Sequence, residues 1–92
     1  MSITFKTRIT KPESAHFFKD GDPTNFLAFK ELYSDYPVTT EVVNINSNVF
    51  ETTHIWESKE AYNEYLNDTV MQSYREIYKK YNSDNGIVVE VI

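Results

Sequence analysis

Two runs rich in Val, Ile, Thr and aromatic residues, 39–46 and 49–56, flank the tripeptide Asn46-Ser47-Asn48. Such residues suit a pleated, half-buried surface, and Asn and Ser supply turn chemistry, so the two runs predict a β-hairpin of antiparallel neighbours. The rest of the chain has to fold around that hairpin. Residues 3–9 place Ile3, Phe5, Thr7 and Ile9 on one face and Thr4, Lys6 and Arg8 on the other, the period-two pattern of a first strand. Asp22-Pro23 offers a cap followed by proline at the first helical position. Phe26, Phe29, Tyr33 and Tyr36 then recur at spacings of three and four, which predicts a helix from Pro23 to Ser34, stopped by Pro37.

After Trp56 the period becomes helical. Ser58 can cap, and Ala61, Tyr62, Tyr65, Leu66, Val70, Tyr74, Ile77, Tyr78 and Tyr81 form an apolar stripe along a second, longer helix. The short polar residues Asn67-Asp68-Thr69 compete for backbone hydrogen bonds, and a break with recapping is expected there. Ser83-Asp84-Asn85-Gly86 ends the helix, and the β-branched run Ile87–Ile92 predicts a last strand. The order β-α-β-β-α-β places the chain in the α+β class. It predicts one domain over residues 1–92 with the split βαβ, ferredoxin-like arrangement: a four-stranded antiparallel sheet carrying two helices on one face.

The other sheet face is then bare. It is expected to show Thr4, Lys6 and Arg8 from the first strand, Val88, Glu90 and Ile92 from the last, and Val42 and Asn44 from the second. A chain of 92 residues buries only somewhat more than ~60% of its unfolded surface, so an isologous homodimer through this open face is expected to complete the core.

The formal charge is −5, with nine Lys and Arg dispersed among fourteen Asp and Glu. That balance argues against nucleic acid, which needs a concentrated positive surface. The absence of cysteine removes thiolate nucleophiles and Cys-type metal sites. No apolar window reaches the ~18 residues of a membrane span, and the N-terminus lacks a signal-peptide core, so a cytoplasmic protein without membrane contact is expected.

Residues 11–21 exceed what a strand-to-helix connection requires and contain Phe17-Phe18. A short helix begun by Pro12-Glu13-Ser14 is expected, with a lid over a pocket as the alternative. Asp20, Asp22 and Glu31 match calcium-loop spacing, but Pro23 and Asn25 occupy positions that forbid such a loop, and no metal site is expected.

Trp56-Glu57-Ser58-Lys59-Glu60-Ala61-Tyr62, followed by Tyr65-Leu66-Asn67-Asp68 and Met71, resembles the strand-to-helix segment of the dimeric α+β barrel superfamily, in particular its antibiotic-biosynthesis-monooxygenase-like members. The resemblance implies a dimer with a pocket in each subunit between sheet and helices. Members of that superfamily include cofactor-independent monooxygenases of aromatic polyketides, haem-degrading proteins and many without an assigned activity, so the resemblance leaves these alternatives open. Carried over by residue, the haem-degrading pattern fails: its helical tryptophan falls on Tyr65, its histidine on Arg75, and its first-strand asparagine is absent between Ile3 and Thr10. No cofactor is therefore expected. A family glutamate falls on His54.

His54 shares a strand face with Phe50, Thr52 and Trp56 and is the candidate catalytic residue, a neutral imidazole able to act as a base toward a phenolic or enolic molecule. Phe50, Trp56, Tyr62, Tyr65, Tyr74 and Arg75 are the candidate pocket residues for a small aromatic or apolar ligand. The competing reading is a non-catalytic homodimeric domain whose aromatics only pack.

Overall fold

The computed structural model describes all 92 residues. Strand β1 (Ile3–Thr10) leads through helices α1 (Phe18–Gly21) and α2 (Pro23–Tyr33) to the hairpin β2 (Val38–Asn46) and β3 (Val49–Trp56). Helices α3 (Lys59–Asn67) and α4 (Thr69–Asp84) then return the chain to β4 (Val88–Val91). The four strands form one antiparallel sheet in the order β2-β3-β1-β4. Both helical connections therefore skip over one strand, and the class is α+β, as expected.

Local chemistry places the boundaries. Asp22 accepts from the amide of Asn25 at the start of α2, with Pro23 next to it, and Ser58 Oγ accepts from Ala61 at the start of α3. The predicted break falls on one residue: Asp68 ends α3 and caps α4, its Oδ1 accepting from Val70 and Met71 amides at 2.9 and 3.2 Å. Helix α4 closes on Gly86 at φ 67°, where the Ile87 amide reaches back to the Asn82 carbonyl at 2.9 Å. Glycine takes up this left-handed backbone without Cβ strain. The final strand is shorter than expected, because Ile87 is drawn into the core at 7% exposure.

Two expectations are corrected. The helix predicted to begin at Pro12-Glu13-Ser14 is a turn, closed by the Ala15 amide on the Pro12 carbonyl, and the helical turn starts at Phe18 instead. Phe17 and Phe18, at 8% and 5% exposure, dictate this shift by burying both rings. The second correction concerns β2. Asn46 pairs with Val49 but Asn44 pairs with Phe50, so Ile45 is an extra, bulged residue. A one-residue slip exchanges the two faces of a strand. Val42 and Asn44 consequently lie opposite Thr52 and Phe50 on the helix-facing side, while Thr39, Glu41 and Val43 join Thr4, Lys6 and Arg8 on the open face.

The helices pack on the face that carries Ile9, Phe50 and Trp56, and the core divides in two. Ile9, Phe17 and Ile87 form one cluster with Phe50 and Tyr81 against it. Trp56, Tyr65 and Met71 form the other, ringed by Phe5, Phe29, Tyr33, Tyr36 and Tyr62 among others. Along the helix-facing side of β3, Phe50 belongs to the first cluster and Trp56 to the second. Thr52 and His54 lie between them, and Thr52 Oγ1 is 2.5 Å from Thr7 Oγ1 on the neighbouring strand. No helix is long and apolar enough to cross a membrane.

Candidate functional site

His54 is held by groups from two other elements. Its Nδ1 lies 2.9 Å from the Tyr33 hydroxyl at the end of α2 and 3.3 Å from Thr40 Oγ1 on β2. The Tyr33 ring stands edge-on to the imidazole with centroids 5.8 Å apart. Thr40 comes into reach because the bulge at Ile45 sets the Thr40–His54 pairing; an unbroken ladder counted back from the turn would bring Glu41 there. The bulge thus decides whether the histidine meets a hydroxyl or a carboxylate.

That choice governs its charge. A carboxylate at Nδ1 would favour imidazolium, whereas two neutral hydroxyls give it no counter-ion. Burial is the dominant influence and holds the His54 pKa below its ordinary 6.5, so the ring is neutral near pH 7. Burial also raises the Tyr33 phenol well above its ordinary 10, and Tyr33 keeps its proton. With Nδ1 engaged by hydroxyls and no hydrogen bond at Nε2, the latter is the nitrogen free for another molecule.

Among the expected pocket residues, Trp56, Tyr62 and Tyr65 gather with His54 around Tyr33. Trp56 is 1% exposed, and its ring centroid lies 5.7 Å from Tyr33, 5.4 Å from Tyr62 and 5.1 Å from Tyr65. These edge-to-face and tilted contacts fill the space between them. Tyr74 reaches the group through Phe29, 6.1 Å between centroids. Phe50 lies in the other cluster, edge-on to Phe17 at 4.7 Å with Lys19 Nζ above it at 5.6 Å. Arg75 donates to the Tyr65 and Leu66 carbonyls at 3.2 and 3.0 Å and lies over the Tyr65 ring, so it caps the end of α3.

Tyr33 and Thr40 are the two site residues that the sequence reading missed. Tyr33 stands out in the sequence only as part of a helical stripe, and Thr40 only as one of several strand threonines. The hairpin offered a signal for Thr40, but the bulge shifts that count by one.

Two surface depressions lie away from His54. One, of about 600 Å³, runs along α4 between Thr69, Gln72, Ser73, Arg75, Glu76 and Lys79. The other, of about 320 Å³, lies between Leu32, Asp35, Tyr36, Asp68, Val70 and Met71. No group of three or more His, Asp and Glu side chains is placed to hold a metal ion. No protein-family model matches the chain, and neither a curated protein nor a solved structure does.

Proposed function

We propose that this protein is a ferredoxin-like, dimeric α+β barrel protein that holds a small aromatic or apolar molecule bearing a phenolic or enolic hydroxyl between its sheet and helices, at His54. The observation that carries this reading is the neutral, half-buried imidazole tied through Nδ1 to Tyr33 and Thr40. It stands on β3 beside Thr52, between Phe50 of one apolar cluster and Trp56 of the other. With Nδ1 carrying the ring proton toward Tyr33, the Nε2 lone pair faces the ligand and takes up its hydroxyl proton. The resulting phenolate or enolate is the electron-rich form from which dioxygen accepts electrons, so a monooxygenase-like oxidation is the reaction that suits the site. Tyr33 and Thr40 are its positioning residues.

Dimerisation through the open sheet face belongs to the same proposal. The strand order, read from the β4 edge as 4-1-3-2, supports the split βαβ topology. The accessible surface of 6102 Å² exceeds the ~5,500 Å² that size scaling gives for a monomer of this mass. On the open face Val43, Val88 and Ile92 are 58%, 52% and 47% exposed. A second copy laid against them removes this apolar area from water.

A second reading, a homodimeric domain without chemistry, is favoured by the mutual packing of Trp56, Tyr62 and Tyr65. The two are separated by titrating a panel of phenolic compounds into the wild type and His54→Ala, with oxygen consumption and ligand-induced shifts of the His54 ring as readouts. Saturable binding or turnover that disappears in His54→Ala supports the first reading, and unchanged behaviour removes His54 from it. Light scattering at micromolar concentration tests the dimer, and a monomer refutes it.

A further inference from the structure

We infer that a second, separate site, between the end of α2 and the α3–α4 junction, binds a small organic ammonium ion with an apolar body. The depression there, about 320 Å³, is at the lower end of the roughly 300–1,000 Å³ typical of small-molecule sites. Its floor is apolar. Met71 is buried, Leu32 and Val70 remain 36% and 53% exposed, and the Tyr36 ring forms one side.

The rim carries two carboxylates and no Lys, Arg or His among the side chains that line it, while Arg75 lies near enough to help hold Asp68 ionised. Asp35 and Asp68 both line the depression, yet the ion pairs in the chain are Arg8–Glu51 and Lys80–Asp84. Asp35 makes no side-chain hydrogen bond, whereas Asp68 takes two amides on Oδ1 and the Tyr36 hydroxyl on Oδ2. Those donors hold the Asp68 carboxyl below its ordinary range, with the Tyr36 hydroxyl the largest influence, so it stays ionised. Helix α2 ends at Tyr33, two residues before Asp35, and its C-terminal end adds partial negative charge, while the N-terminal amides of Val70 and Met71 on α4 are already taken up by Asp68 Oδ1.

Three ligand classes would behave differently here. An anion meets two carboxylates and is repelled. A neutral apolar molecule gains only the floor. An ammonium ion gains the floor, the carboxylates and the Tyr36 π-face together.

The test uses the full chain and three matched probes, 2-phenylethylammonium, 2-phenylethanol and 3-phenylpropionate, followed by amide NMR shifts. The ammonium is expected to give saturable shifts at Leu32–Tyr36 and Asp68–Met71, with affinity roughly two- to fivefold above the alcohol, and the carboxylate is expected not to bind. Asp35→Asn, at an exposed position without hydrogen bonds to lose, should bring the ammonium down toward the alcohol. Val70→Lys should abolish its binding by placing a cation in the depression. The inference is overturned by equal affinities for ammonium and alcohol, by shifts that map elsewhere, by no saturation, or by an Asp35→Asn variant that binds like the wild type. Tyr33 lies within Leu32–Tyr36 and also meets His54, so the His54 ring is followed in the same titration: shifts at Asp35, Tyr36 and Val70 with the His54 ring unmoved belong to this depression, and their absence overturns this inference while leaving the His54 reading to its own test.

Discussion

The hydroxyl of Tyr33 lies 2.9 Å from Nδ1 of His54, joining the last residue of α2 to the middle of β3. With Thr40, this contact engages Nδ1 and leaves Nε2 free, and it ties α2 to the sheet beside the Trp56 cluster. Tyr33→Phe keeps the ring that packs on Phe29, Trp56 and Tyr65 but removes the hydroxyl. The expected loss is about 0.5–1.5 kcal/mol in denaturant unfolding. The ¹⁵N shifts of the imidazole should move with it, and a tautomer signature identical to the wild type would show that Thr40 alone sets the ring.

The burial of His54 has a pH consequence of definite sign. Its pKa is below 6.5 in the folded protein, so on acidification the unfolded chain takes up the proton first. The unfolded state binds more protons in that window, and stability therefore falls as pH drops from about 6.5 toward the folded-state pKa. Urea unfolding at pH 7.5 and pH 5.5 should show a decline in wild type that is smaller in His54→Gln. Equal declines in the two proteins would place the titrating group elsewhere.

Gly21, at the end of α1, leaves room for Tyr81. A Cβ there would fall on the Tyr81 hydroxyl oxygen and 2.7 Å from Cζ, while that hydroxyl donates to the His16 carbonyl at 2.7 Å and the ring packs on Phe18. Gly21→Ala must displace the tyrosine, at an expected cost of about 1–3 kcal/mol. Combining it with Tyr81→Ala should cost less than the sum of the two single changes, since each removes the same packing. Strict additivity measured by thermal unfolding would refute the clash.

Arg75 separates a structural from a ligand-binding assignment. Its two donations to the ends of α3 predict that Arg75→Met loses about 1–2 kcal/mol, the range of charge-assisted bonds discounted for partial exposure. Affinity for phenolic probes at His54 should be unchanged. A large loss of binding with intact stability would return Arg75 to the pocket.

Much of the architecture was legible because it depends on neighbours in sequence. The Asn46-Ser47-Asn48 turn, the Asp22-Pro23 and Ser58 caps and the recapping at Asp68 each act over three or four residues, and the structure has all of them. The site was only partly legible. Phe50 and His54 share a strand face, as alternation requires, yet Phe50 packs with Phe17 while His54 meets Tyr33. Which residue above the sheet lies over which position depends on how the helices cross it, and no spacing along the chain records that.

The sequence alone therefore determined the order of strands and helices, their caps and the residues alternating on β1, because those follow from backbone geometry repeated every two or 3.6 residues. Only the tertiary structure decided the face of β2, the division of the core and the partners of His54. The extra residue Ile45 sits between Asn44 and Asn46 in a run that also contains the adjacent valines Val42 and Val43, so periodicity along β2 does not say which way its side chains point. Pairing with β3 does, and that pairing sets Thr40 rather than Glu41 beside the imidazole and leaves His54 neutral.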